Sequence, residues 1–241
     1  MAVNLATIES VTKVYGTRAL LDGVSLGVSE GDRIGVVGRN GDGKTTLIRM
    51  LAKLEEPDSG RITHSGGLQM AVLTQHDSLD PKATIRHEVI ADREDHQWLG
   101  DSRIRDIIQG LFGGLDLPGF DKGLDTVIGP LSGGERRRIA LAKLLLGDHD
   151  LIVLDEPTNH LDVEGIAWLA KHLSSRRSAL VCVTHDRWFL DRIATHILAW
   201  EGTEDEEGNW FWFEGNFASY EENKIERLGV EAARPLAVAA A

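Results

Sequence analysis

Residues Gly38-Arg39-Asn40-Gly41-Asp42-Gly43-Lys44-Thr45 have the spacing G-x-x-x-x-G-K-[ST]; an apolar run, 33–37, precedes them and a helical pattern opens at Thr45, Thr46, Leu47 and Ile48. That placement between strand and helix gives the motif its chemistry. The glycines let backbone N–H groups turn inward around phosphate oxygens, and a helix N-terminus adds a dipole that favours an anion. In such a loop Lys44 reaches the β- and γ-phosphates and Thr45 ligates Mg2+. The whole stretch from Gly38 to Thr46 is therefore a candidate phosphate cradle. Asp42 is at odds with it: a carboxylate among phosphates weakens binding unless it turns away or pairs with a cation such as Arg39, and the expectation is that it points outward.

A second run, Leu151-Ile152-Val153-Leu154, delivers two adjacent acids, Asp155 and Glu156. This is the arrangement in which the first acid joins a magnesium shell and the second faces an attacking water. A third run, Leu180-Val181-Cys182-Val183, ends on Thr184 and His185. All three runs are short, β-branched and non-alternating, as in strands of a parallel sheet buried on both faces. Open α/β sheets bind ligands at the carboxyl ends of their strands, so Gly38, Asp155, Glu156 and His185 are expected to converge.

The surroundings are consistent with that frame. Residues 6–11 and 19–28 alternate apolar and polar positions, which predicts an antiparallel flank with one wet face. Residues 84–112 turn helical and charged, and a glycine-rich stretch, 113–119, follows. An acidic hairpin loop is expected over 201–209, and a closing helix from Phe217 to about Gly229. With 241 residues, 42% of them hydrophobic, the chain can bury one substantial core. A net charge of −12 gives no general attraction for nucleic acid or anionic membrane. No stretch reaches the ~18 apolar residues of a membrane span. The single cysteine, Cys182, rules out a disulfide within the chain and suits a reducing compartment.

Between the two phosphate-related motifs stands Leu131-Ser132-Gly133-Gly134-Glu135, which resembles the signature of ABC ATPases. Ser132 and the amides of Gly133 and Gly134 open a helix and so form a second anion cradle. The apolar stretch from Ile139 to Leu146 continues that helix and is expected to be buried, with Arg136, Arg137 and Arg138 at its solvated or salt-bridged edge. The resemblance covers about Leu5 to Arg227. It implies that Tyr15 stacks on adenine, that Gln75 is the Q-loop glutamine at the metal and reaction centre, that Asp162 lies in the D-loop, and that His185 is the switch histidine.

The fold so implied is an α/β P-loop NTPase of ABC type, with a mostly parallel core sheet, an antiparallel β flank and a small helical subdomain at about 84–147. The domain would run over 1–229, with 230–241 a linker start or truncated tail. Glu156-Pro157-Thr158-Asn159-His160-Leu161-Asp162, the segment 185–191 and the segment 213–220 resemble the ABC-F branch, nearest to the first nucleotide-binding domain of Uup-like members. That resemblance implies a cytoplasmic ATPase using ATP and Mg2+, completed by a second ABC domain or a homodimer, working at the ribosome, on RNA or on DNA, with no membrane subunit. The alternative is the ATPase subunit of an ABC membrane transporter. No long arm insertion stands between Gln75 and Leu131.

Overall fold

The computed structural model describes residues 3–16, 18–74, 79–202 and 208–233. Gln75, the tip of the acidic loop (203–207) and the alanine-rich tail (234–241) lie outside the described residues. The strands are β1 (Asn4–Tyr15), β2 (Arg18–Ser29), β3 (Arg33–Val37), β4 (Ser59–His64), β5 (Met70–Leu73), β6 (Leu151–Asp155), β7 (Ala179–Val183), β8 (His196–Glu201) and β9 (Asn209–Glu214). The helices are α1 (Lys44–Leu51), α2 (Ile85–Ile90), α3 (Asp95–Gly100), α4 (Ser102–Phe112), α5 (Gly133–Leu146), α6 (Val163–Ser175), α7 (Arg187–Ile193) and α8 (Phe217–Ala233).

Among the described residues the strands form two sheets. One is antiparallel, in the order β2-β1-β4; the other runs β5-β6-β7-β3-β8-β9 and is parallel except for β9. The three apolar runs are therefore adjacent parallel strands. In β6 and β7 the side chains divide by parity between two cores, as a two-faced strand requires. Leu151 and Val153 join the core beneath the antiparallel sheet and α1, whereas Ile152 and Leu154 join the core against the helices. In β7, Val181 and Cys182 divide in the same way, and Cys182 is fully buried. Gly35 in β3 marks a close approach: a Cβ there would stand 2.8 Å from Leu190 of α7.

The helices α2, α4 and α5 pack together over one face of the sheet, with Ile107, Ile108, Ile139 and Leu145 buried between them. α4 also lies on α6, where Trp168 covers Gly110 so closely that a Cβ would fall 2.1 Å from the indole. Trp168 Nε1 donates to Asp106 Oδ1 (3.3 Å), and His172 stacks on the same indole at 4.8 Å. The closing helix has its expected limit as a break, because Gly229 takes φ 81° there. No helix among the described residues is long and apolar enough to cross a membrane.

Candidate functional site

The carboxyl ends of β3, β6 and β7 open on one cavity of about 550 Å3, a volume suited to a cofactor-sized ligand. Leu20 and the loop residues Asn40, Gly41, Gly43, Lys44, Thr45 and Thr46 line it on one side; Asp155, Glu156, Asn159 and His185 face them. A larger cavity of about 710 Å3 lies among Arg103, His149 and Arg176. There both guanidiniums already bond the carbonyls of Leu145 and Gly147 at the end of α5, so that cleft is a helix terminus held by arginines. The smaller cavity gathers the chemistry.

Within it the phosphate loop is held in shape by its own side chains. Lys44 is buried and donates to the carbonyls of Gly38 (3.0 Å) and Arg39 (2.7 Å). Burial pulls its ammonium below the usual lysine range, opposed by the carboxylates of Asp42, Glu156 and Asp155. Asp42 does not point outward. It is 4% exposed and does not line the cavity; its Oδ2 accepts the Arg39 N–H at 2.5 Å, and Arg39 Nε, the cation considered for it, stands 3.8 Å away. The reason is local: an acceptor at this position satisfies a loop amide that a turned-out carboxylate would leave to other partners.

Thr45 Oγ1 donates to Asp155 Oδ2 (3.1 Å), and Asp155 is 1% exposed with Oδ1 lacking any hydrogen-bond partner. Burial raises its carboxyl above the ordinary aspartate range, against the pull of Thr45, Arg137 and Lys44. A buried carboxylate oxygen with nothing to accept, beside a threonine hydroxyl, is a hard oxygen donor set that fits Mg2+. Among the described residues no group of three His, Cys, Asp or Glu forms a metal cage.

Glu156 sits just past β6 in a left-handed conformation (φ 51°), fixed by its N–H to Val183 O at 2.7 Å. His185 approaches it from β7: His185 Nε2 is 3.5 Å from Glu156 Oε1 and 3.1 Å from Asn40 Oδ1, and the His185 N–H points at Glu156 Oε2 (3.4 Å). A glutamate, a histidine and the phosphate loop thus meet without any one element carrying all three.

Other expected residues stand apart. Ser132 caps α5 in a reciprocal box with Glu135, its Oγ donating to Oε2 at 2.6 Å; those bonds hold the Glu135 carboxyl below its usual range. Ser132, Gly133 and Gly134 do not line the cavity, and neither does Asp162, whose Oδ1 caps α6 by accepting from Gly165 N (2.7 Å). Val163 beside it is 83% exposed. Tyr15 is half exposed beside Thr46, with its hydroxyl bonded to Glu55.

Three features escaped sequence reasoning. Leu20 and Asn159 line the cavity, and nothing in the type of an isolated leucine announces such a position. Arg137 is not at a solvated edge: it donates to Thr74 O (2.5 Å) and to Asp155 O, tying the signature helix to the ends of β5 and β6.

This sheet order, phosphate loop and acid pair define a P-loop ATPase, and the model of the family described as ABC transporter matches residues 21–159, so the chain belongs to that family. It is 44% identical over 229 residues to the energy-dependent translational throttle protein EttA of Mycobacterium tuberculosis, an ABC-F protein, covering 95% of this chain and 40% of that one. The chain spans about 40% of the length of the curated relatives it matches. Among solved structures, archaeal ribosome recycling factor aABCE1, in complex with the ribosomal stalk protein aP1, aligns with TM-score 0.76 and 28% identity over 93% of this chain and 42% of that one. The ATP-binding subunit of an ABC transporter shares the fold, with TM-score 0.72 and 18% identity over 95% of this chain and 100% of that one. Members of the family bind ATP, generally with Mg2+, and work as pairs of ABC domains.

Proposed function

We propose that this chain is the first nucleotide-binding domain of a cytoplasmic ABC-F ATPase, and that it hydrolyses ATP in a site shared with a second ABC domain in work on translation. The domain would occupy 1–229, with a helical subdomain at about 84–147 and a linker beginning near 230. The observation that carries the chemical reading is the Thr45–Asp155 pair with its buried, unpartnered Oδ1, at the wall of the cavity that Lys44, Glu156 and His185 also line. Ribosomal work rests on the translational relatives alone, since a net charge of −12 supplies no broad basic surface.

In this reading the loop amides from Gly41 to Thr46 cradle the phosphates, and Lys44 exchanges its two carbonyl partners for phosphate oxygens. Tyr15, beside Thr46, takes the adenine ring. Thr45, Asp155 and Gln75 are the residues that would hold Mg2+, which when bound neutralises charge gathering on the phosphate oxygens. Glu156 orients a water and accepts its proton, while His185, held between Asn40 and Glu156, is placed to donate to the γ-phosphate. Ser132, Gly133, Gly134 and Asp162 would serve the partner domain's nucleotide, which accounts for their standing outside this chain's own cavity.

Size-exclusion chromatography with light scattering on Glu156→Gln, with and without Mg·ATP, tests both halves of the proposal. The expected result is an ATP-dependent shift from monomer to dimer, with phosphate release at least about a hundredfold below wild type. Unchanged phosphate release would remove Glu156 from its role. A monomer that binds ATP would assign the partner surface to a separate second domain.

A further inference from the structure

A carboxylate buried beneath a phosphate loop has to be accounted for. Asp42 is within the loop read as the phosphate site, is 4% exposed, and is not among the residues that line the cavity. Its Oδ2 accepts the Arg39 N–H at 2.5 Å, and the Asp42 N–H bonds back to Arg39 O at 3.3 Å. Lys44 Nζ reaches that same Arg39 carbonyl at 2.7 Å, and Arg39 Nε stands 3.8 Å from Asp42 Oδ2, so the carboxylate is linked to both cations of the loop. The carboxylate also packs on Gly38, where a Cβ would stand 3.2 Å from Asp42 Oδ2 and 3.0 Å from the Trp200 Cβ.

We propose that Asp42 acts as a fixed counter-charge: through the Arg39 amide it keeps the loop folded without nucleotide, and by its charge it hastens nucleotide release. The inference rests on the reading of this loop as the ATP site. Buried charges are poorly screened, so the carboxylate acts on phosphates held by the same loop. Its effect scales with the ligand's charge and weighs more on Mg·ATP than on Mg·ADP. Among the charged groups acting on the Lys44 ammonium, Asp42 has the largest influence. Asp42 is thus a positioning residue that also sets how long a nucleotide stays.

Two substitutions separate the bond from the charge. Asp42→Asn keeps an acceptor for Arg39 N–H and removes the charge; Asp42→Ala removes both. Dissociation constants and off-rates for fluorescent Mg·ATP and Mg·ADP analogues are measured on this chain, with circular dichroism reporting the fold and Lys44→Ala as the non-binding control. For Asp42→Asn the expected gain in affinity is about tenfold for Mg·ATP and about threefold for Mg·ADP, carried by slower release. Asp42→Ala is expected to bind more slowly than Asp42→Asn, because its empty loop is no longer held. A folded Asp42→Asn variant within twofold of wild type for both nucleotides, or gaining equally for both, overturns the counter-charge. So does one that binds more weakly. If wild type itself binds no nucleotide, the ATP-site reading falls first and the inference with it.

Discussion

Arg137 donates its guanidinium to two main-chain carbonyls, Thr74 O and Asp155 O, and so ties the signature helix to the end of the strand carrying the buried acid. Truncation leaves both acceptors to find other partners, so Arg137→Ala is expected to cost about 2 kcal/mol in urea unfolding, with Arg137→Lys recovering part of it. Nothing in a run of three arginines says which of them turns inward, since that depends on the facing strand ends. Asp42 shows the same limit. Its type made it conspicuous, but the donor it serves, the Arg39 N–H, becomes visible only when the loop closes. The residues that could be read directly are those whose chemistry and chain position coincide: Lys44 and Thr45 open the helix after a strand, and Asp155 and Glu156 lie where a strand ends. Leu20 lacks that coincidence; its place in the cavity comes from the register of β1 on β2, which sets neighbours across two strands.

The seam between α4 and α6 depends on one absent methyl group. With Trp168 lying over Gly110, Gly110→Ala forces the two helices apart and is expected to destabilise the fold by about 2 kcal/mol, read as a lower urea midpoint with an unchanged slope. His172 titrates on this seam. Burial holds its imidazole below the usual histidine range, with Arg176 and Arg103 adding to the shift and Asp106 opposing it. Because the unfolded chain takes up a proton first, stability from this group is present above the unfolded value of 6.5 and declines as pH falls below it. His172→Phe keeps a ring on Trp168 and is expected to flatten the loss of stability between about pH 7 and pH 5.5; an unchanged slope would assign the loss to other groups. The three central strands, β3, β6 and β7, were readable because burial on both faces writes itself into composition; β4 and β5 were not read. The seam was not, because Gly110 and Trp168 are far apart in sequence and neither type predicts the other.

At the scale of the whole molecule the site is divided: the phosphate loop and acids open on the cavity, while Ser132 and Asp162 cap helices outside it. Nucleotide that binds only the folded state must still raise this chain's stability, by about 2.7 kcal/mol at a hundredfold excess over Kd. Thermal unfolding with Mg·ATP should show that rise in wild type and none in Lys44→Ala. The sheet also holds a reporter of its own. Cys182 is the chain's one cysteine; it is wholly buried between the central strand neighbours and α7, and its thiol is pushed well above the ordinary range. A disulfide reagent therefore has no target until β7 is uncovered, and its rate of reaction counts openings of the central sheet rather than frayed ends. Any cysteine placed on the surface would label alone, so a pair of dyes on two such chains could time the meeting of the domains without removing a native residue.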